Sequence, residues 1–185
     1  MSASGSDAAE PFVVDVPALC RQGQALHGKW PLARMARLVE GLFAMPSAGD
    51  LVTWSAQGSL QPAAGSDPQL WLALQVRARL GLQCQRCLQP MLHDMVLDRR
   101  LRFVRGENEA ARLDEESEDD VLALPAQLDL SALVEDELIL GLPLVPRHEE
   151  CSEPLPLADG AAPVSEDEAP HPFAALEALR RRGPT

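Results

Sequence analysis

Four side chains with the chemistry of metal ligands fall into two short groups that lie far apart along the chain. Cys84 and Cys87 form a CxxC pair, and His148 and Cys151 form an HxxC pair about sixty residues later. A CxxC turn at the tip of a hairpin holds two sulfurs close together, which is half of a tetrahedral zinc site. The sequence therefore predicts a structural Zn²⁺ site, provided that the fold brings the HxxC pair to the CxxC pair.

Two other interpretations of the CxxC pair remain open. The two cysteines can simply be packed, or lie idle, at the tip of a hairpin. They can also form a redox dithiol, but a thioredoxin-like CxxC lies between a strand and the start of a helix. Pro90, three residues after Cys87, does not suit a helix there. The remaining cysteine, Cys20, is expected to be a small buried apolar residue and not a ligand.

Hydrolytic chemistry finds little support in the sequence. His27, His93 and His171 have no nucleophile or carboxylate at an informative spacing, and the chain contains no glycine-rich phosphate loop. The three consecutive acids at 135–137 fan around a helix and cannot all converge on one site. We therefore expect a protein that is not an enzyme.

Arginines are concentrated around the CxxC pair and form a candidate contact surface for RNA or a partner. The candidate residues are Arg77, Arg79, Arg86, Arg99, Arg100 and Arg102. On paired strands such side chains can make one stripe that grips phosphates. The alternative is an ordinary charged outer face, balanced by the acidic segment that follows. A net charge of -12 and the absence of tyrosine argue against tight, autonomous RNA binding.

The elements that must position these residues are read from hydrophobic periodicity. Apolar residues alternate from Leu70 to Cys84, which predicts a long strand with one buried and one wet face. A second extended run reaches Val104, so the two runs form a hairpin with CxxC at its tip. Strands are also predicted at 12–16 and 51–60, and amphipathic helices at 32–44 and 130–141. The predicted fold class is α+β: an antiparallel β-meander with two amphipathic helices packed on it.

The remaining segments are predicted from composition. Residues 1–10 are expected to be disordered, 11–151 to form a single domain with a disordered acidic loop at 106–120, and 152–171 to be a disordered linker. Residues 172–185 are expected to form a short C-terminal helix and tail, whose apolar stripe Phe173, Leu176 and Leu179 is a candidate partner-binding helix. No signal peptide or long apolar run is present, which favours the cytoplasm.

Three motifs together resemble a known family. The segments CQRCLQPM, VEDELILGLPLVPRHEEC and HPFAALEALRRR are similar in order and spacing to the YceD family of large ribosomal RNA subunit accumulation proteins. The middle motif is the most specific, and the N-terminal half matches only in pattern. One departure is His171, where the family pattern leads us to expect Asn.

The resemblance implies a bacterial cytoplasmic factor for the synthesis, processing or stability of 23S ribosomal RNA, with no established catalysis. The implied partner is the large-subunit RNA or a pre-ribosomal particle. Because the chain is acidic, we favour contact through ribosomal proteins or processing enzymes, whose basic surfaces can engage acidic segments. An adaptor or dithiol enzyme built on the CxxC pair is the alternative.

Overall fold

The computed structural model describes residues 11–63 and 67–151, and these residues belong to one compact unit. The predicted disordered N-terminus, the linker and the C-terminal helix with Phe173, Leu176 and Leu179 lie outside the described residues. No helix within the described ranges is long and apolar enough to cross a membrane.

Seven strands and four α-helices make up the described part of the chain. The strands are β1 (Val13–Val14), β2 (Ala25–Pro31), β3 (Leu51–Gln61), β4 (Gln69–Gln83), β5 (Pro90–Val104), β6 (Asp120–Ala123) and β7 (Leu128–Asp129). The helices are α1 (Val16–Gln22), α2 (Ala36–Glu40), α3 (Glu107–Glu116) and α4 (Leu130–Leu140), and a 3₁₀ turn covers Leu32–Arg34. The fold class is α+β, as predicted.

Strands β2 to β6 form a five-stranded sheet in chain order, and β1 pairs with β7 in a small separate sheet. The predicted hairpin is present: β4 and β5 pair antiparallel along their whole length, from Leu70 opposite Phe103 to Gln83 opposite Pro90. This register places the CxxC turn at the far end of the two longest strands. Strand β6 differs from the predicted meander because it runs parallel to β5.

One face of this sheet is covered by the core and the other is open. Alternate residues of β4 are buried, as the sequence pattern predicted, and they join residues of β3, β5, α1 and α4 in one hydrophobic core. We call the opposite side of β2 to β5, which holds their exposed alternate residues, the open face. The core therefore fixes the direction of every side chain on the open face, because successive residues of a strand point to opposite sides.

Helix α4 confirms the prediction for 130–141. The carboxylate of Asp129 accepts hydrogen bonds from the backbone amides of Ser131 and Ala132, which caps the first turn. Val134 and Leu138 are fully buried on one face, and Gly141 ends the helix. The helix directs the chain that follows it towards the CxxC turn.

The predicted helix at 32–44 is wrong in its extent. The backbone at Met35 is not helical, and it separates the 3₁₀ turn from the five-residue α2. The amides of Arg37 and Leu38 bond to the Glu135 carboxylate of α4, and the Phe43 amide bonds to the Gly81 carbonyl. Contacts to other elements thus replace the hydrogen bonds that would have continued a single helix.

The acidic segment 106–120 is not the disordered loop that was predicted. Residues 107–116 form α3, which is stabilised by pairs of Arg112 with Glu109 and Glu116 one helical turn away. Ala110 is buried, and Asp114 accepts a hydrogen bond from the Val121 amide at the start of β6. The prediction treated the run of charges as a whole. It missed that Arg112 is three residues from Glu109 and four from Glu116, a spacing at which one arginine can neutralise two acids on a helix.

The N-terminal region also differs from the prediction for 12–16. Only Val13–Val14 is a strand, and Asp15 caps α1 by accepting from the Ala18 amide, with Pro17 in the first turn. An Asp cap followed by a proline in the first turn is typical of the start of a helix. The prediction missed this start because the same residues belong to a short apolar run. Cys20 is buried in the core, as expected. Strand β2 was not predicted.

Candidate metal centre

The two halves of the predicted site meet in the fold. The ligand atoms of Cys84, Cys87, His148 and Cys151 all lie within 4.8 Å of one another. The sulfurs of Cys84 and Cys151 are 3.7 Å apart, and the sulfur of Cys87 is 3.4 Å from Nδ1 of His148. A tetrahedral Zn²⁺ requires separations of about 3.8 Å between two sulfurs and about 3.5 Å between sulfur and nitrogen, from ordinary bond lengths. The Cys₃His group is therefore compatible with zinc.

The CxxC turn owes its shape to hydrogen bonds across the hairpin end. The Leu88 amide donates to the Cys84 carbonyl at 2.8 Å, and the Cys84 amide donates to the Gln89 carbonyl at 2.9 Å. The turn closes with Leu88 at a φ of 62°, a left-handed conformation that is rare for leucine. Both cysteine side chains are consequently directed to one side, where they are buried.

The HxxC half is delivered by the extended chain after α4. Gly141 ends the helix, and Pro143 and Pro146 keep the following segment from continuing it. The Pro146 carbonyl accepts a hydrogen bond from the Gln85 amide at 2.8 Å, and the His148 amide donates to the Cys84 sulfur at 3.4 Å. Backbone contacts thus attach the second half directly to the CxxC turn.

The imidazole of His148 is oriented for metal binding through Nδ1. Its Nε2 lies 3.2 Å from the Pro90 carbonyl, which can only accept a hydrogen bond. Nε2 must therefore hold the proton, which leaves the lone pair of Nδ1 directed towards the sulfurs. A carbonyl that fixes the tautomer in this way is the usual support for a metal-binding histidine.

The surroundings shift the pKa values of Cys84 and Cys87 in opposite directions. Burial alone would raise the pKa of Cys84, but hydrogen bonds from the backbones of His148, Cys87 and Arg86 outweigh it and lower the pKa to about 5. For Cys87, a hydrogen bond with the Gln89 backbone lowers the pKa, while burial and the neighbouring cysteines raise it by more, so the pKa is raised overall. Repulsion between adjacent thiolates is the force that a bound cation relieves.

Arg86, a candidate for RNA contact, lies in this cluster. Its Nε donates to the Cys151 sulfur at 3.0 Å, and its NH2 group donates to the carbonyls of His148 and Glu149 at 3.2 and 3.3 Å. The guanidinium therefore spans from the CxxC turn to the HxxC segment. Arg86 lies between the two cysteines in the sequence. This position indicates a side chain that supports the ligands, but from the sequence it was interpreted only as a contact for RNA or a partner.

The other candidate arginines do not share one surface. Arg99 points to the covered side of the sheet, where it forms an ion pair with Glu137 of α4 at 3.0 Å. Arg77, Arg79, Arg100 and Arg102 have the parity of the open face. Since Arg99 and Arg100 are consecutive in one strand, the sheet must separate them.

The arginines of the open face have different environments. Arg79 forms a two-pronged ion pair with Asp94, which lies opposite it in the register. The guanidinium of Arg100 lies over the Trp71 ring, 4.8 Å from its centroid. Arg77 is exposed and has no ion-pair partner among residues 11–63 and 67–151. Lys29, which the sequence did not single out, lies on the same face in β2.

Comparisons with known proteins identify the family of the chain. Residues 72–180 match the family described as large ribosomal RNA subunit accumulation protein YceD. The chain belongs to the YceD family. A Haemophilus influenzae protein named large ribosomal RNA subunit accumulation protein YceD is 33% identical over 121 residues, which are 63% of this chain and 70% of that protein. No solved structure matches the chain.

The part that matches the YceD family contains both halves of the Cys₃His cluster and the β4–β5 hairpin from Leu72 onward. It begins after β2 and β3, so Lys29 lies outside the matched segment.

Proposed function

We propose that this YceD-family protein acts in the accumulation of large-subunit ribosomal RNA, in the synthesis, processing or stability of 23S RNA, and that it does so without catalysis. The family match over residues 72–180 carries the first part of the proposal, and the printed name of the Haemophilus influenzae relative supports it. The proposed role places the protein in the cytoplasm, with a pre-ribosomal particle as its partner.

The donor set supports a structural role for the metal. Zinc sites that catalyse keep one position open for water, whereas structural sites use four protein ligands. Three sulfurs and one imidazole nitrogen, all within 4.8 Å of one another, make a closed set. Cys84, Cys87, His148 and Cys151 would hold Zn²⁺, and the bound ion would supply charge neutralisation and a link between two distant segments.

The link has a mechanical consequence for the protein. The HxxC segment has no strand pairing of its own, and its contacts with the hairpin end are made by single hydrogen bonds such as that from Gln85 to Pro146. A metal that joins the two segments would therefore fix the end of the β4–β5 hairpin relative to α4. We infer that the centre stabilises the scaffold on which partner contacts are made.

The test is the steady-state ratio of 23S to 16S RNA in cells that lack the gene. The cells are complemented with the wild-type chain, with an empty vector, or with Cys84→Ser. We expect the empty vector to leave 23S RNA selectively low, and the wild-type chain to restore it. An unchanged ratio in the deletion strain would refute the proposed function.

The alternative of a redox dithiol is tested by the same strains. A dithiol enzyme needs the Cys84 sulfur itself, so Cys84→Ser would abolish function even when the folded protein accumulates normally. A structural site predicts that Cys84→Ser lowers the amount of folded protein, and that raising expression partly restores 23S RNA. Measuring the protein level beside the RNA ratio separates these two outcomes.

A further inference from the structure

We propose that the open face of the sheet binds the sugar–phosphate backbone of structured large-subunit RNA, with Lys29, Arg77 and Arg100 as the phosphate contacts. This inference rests on the proposed function for its choice of RNA. The surface itself is defined by the charge and exposure of residues in β2 to β5.

The open face is a basic region on an acidic protein. Its cationic residues are Lys29, Arg77, Arg79, Arg100 and Arg102, and its acidic residues are Asp94 and Asp98. The chain as a whole has a net charge of -12. At physiological ionic strength charges are screened beyond about 8 Å, so a phosphate at this face is governed mainly by the side chains beside it. The sign of the total charge therefore does not exclude RNA here.

Three of the five cations are available for a new partner. Arg77 and Lys29 are exposed, and neither has an ion-pair partner within the described residues. Arg100 is exposed as well, and its guanidinium plane is held against Trp71. Stacking on an indole restricts the guanidinium but leaves its N–H groups free at the edges. A fixed cation of this kind loses less entropy when it binds a phosphate.

The other two cations are less suited to this role. Arg79 is engaged by both oxygens of Asp94. Arg102 has a buried Nε, and its charge acts on Glu109 of the acidic helix α3. Helix α3 thus bounds the basic region on the β6 side, and the region extends from Arg100 across β4 to β2.

The spacing of the three cations fits an extended polyanion. Lys29 and Arg77 are both in register with Thr53, which places them two strands apart, about 10 Å. Arg77 and Arg100 are offset by four residues along neighbouring strands, about 14 Å by the same geometry. Such distances exceed the size of one phosphate group, so the face would contact several phosphates of one strand or of two.

The face also contains a shallow groove and polar groups that suit a ribose. A groove of about 520 Å³ lies beside Arg77, and its lining includes Thr53 and Arg79 together with the carboxylates of Asp50 and Asp94. Gln57 of β3 is also exposed on the open face and can bond to a 2′-hydroxyl group, whereas the Gln75 amide of β4 donates to Asp98. Because two carboxylates line this groove, it suits a ribose, and the phosphate contact is made by Arg77 at its edge.

No Phe or Trp ring is exposed on the open face within the described strands, and this limits the type of RNA that the face can bind. Proteins that read single-stranded RNA stack bases on aromatic side chains. Within the described strands, Trp71 has the parity of the open face, and it is 5% exposed and covered by Arg100. We therefore infer contact with the backbone of folded RNA, without base stacking and with little dependence on sequence.

Binding of the zinc-loaded full chain to a labelled, folded fragment of 23S RNA tests the surface, by fluorescence anisotropy over a range of salt. We expect Arg77→Gln to weaken binding about fivefold and to reduce the salt slope by about one, since one phosphate contact is lost. Combining Lys29→Gln, Arg77→Gln and Arg100→Gln should weaken it about a hundredfold. The matched control is Arg21→Gln, which removes an exposed arginine of α1 on the covered side and should bind as the wild type does.

Equal binding by all variants, or no binding by the wild-type chain, would overturn the proposal. A photo-crosslinking residue at Gln57 provides a second test in cells, because this position is exposed on the open face. Recovery of 23S RNA supports the proposal, and recovery of an acidic protein without RNA overturns it. If 23S RNA falls in the deletion strain while the purified chain does not bind RNA, the proposed function stands and the RNA surface fails.

Discussion

The Nε group of Arg86 lies 3.0 Å from the sulfur of Cys151 and donates a hydrogen bond to it across the two halves of the cluster. A Zn²⁺ ion held by three thiolates and a neutral imidazole has one net negative charge. Arg86 supplies the matching positive charge at the sulfur. The NH2 group of Arg86 also donates hydrogen bonds to the carbonyls of His148 and Glu149. The same side chain therefore positions the loop that contains two of the ligands.

Replacing Arg86 should therefore weaken zinc binding without removing a ligand. We expect Arg86→Gln to raise the zinc dissociation constant about 10- to 100-fold, the usual effect of losing a group that supports a ligand. Arg86→Lys should give an intermediate value, because it keeps the charge but not the forked geometry. Competition with a chromophoric chelator measures both constants, and identical values for the three proteins would contradict this role.

The ligands themselves can be tested with two cysteines that differ in their surroundings. We expect the purified chain to hold about one zinc ion, and Cys84→Ser to lose it and to unfold roughly 10 °C lower, because metal binding contributes to folding. The control is Cys20→Ala. Cys20 is buried away from the cluster and donates to the Trp71 carbonyl. Elemental analysis should find undiminished zinc in this control; zinc loss there would refute the assignment.

The hairpin and the cluster were predictable from local patterns. The alternation of apolar residues in β4 determines which face of this strand is buried. The two residues between Cys84 and Cys87 form a turn, so both sulfurs lie at the end of the hairpin. The approach of His148 depends on tertiary structure, since about sixty residues of strand and helix intervene. The sequence therefore identified His148 and Cys151 as candidate ligands, but it could not show that the fold brings them to Cys84 and Cys87.

The failures of prediction have a common physical cause. The apolar spacing at 32–44 was real, because Leu32, Met35 and Leu38 are buried, but the hydrogen bonds that its amides donate to acceptors on α4 and β4 determine the backbone there. Likewise Arg99 and Arg100 were grouped by proximity in sequence, whereas their strand places them on opposite sides. In both cases, residues that are distant in the sequence determine the local structure.

The link between α2 and α4 is itself testable. Glu135 accepts hydrogen bonds from the amides of Arg37 and Leu38 at 2.8 and 3.1 Å, and it also pairs with the Arg37 guanidinium. Helix α2 has no capping side chain of its own. We expect Glu135→Ala to lower the free energy of unfolding by about 2 kcal/mol, because two amides and a guanidinium lose their acceptor. Urea denaturation measures this change.

The neighbouring acid provides a matched control for Glu135. Asp136 also contacts Arg37, but it bonds only to the guanidinium and is half-exposed. Asp136→Asn should therefore cost less than about 0.5 kcal/mol, as is usual for exposed ion pairs. If the two substitutions destabilise the protein equally, the capping of α2 is not what Glu135 contributes.

The ion pair of Arg79 and Asp94 provides a prediction in which RNA binding improves. The hydrogen bond from Arg79 lowers the pKa of Asp94, so this carboxylate stays ionised, and its contribution to stability is lost only as the pH falls through that lowered value. Changing the pH between 5 and 8 should not release Arg79. Asp94→Asn should release it, and we expect RNA binding about threefold to tenfold tighter with a salt slope larger by about one.

A second acid of β5 separates this release from a change in net charge. Asp98 lies on the same face but accepts a hydrogen bond from Gln75 and not from an arginine. Asp98→Asn removes the same charge without freeing a guanidinium, so its gain in affinity should be smaller and its salt slope should stay unchanged. Equal gains for Asp94→Asn and Asp98→Asn would mean that only net charge matters, and no gain for either would contradict phosphate binding beside Arg79.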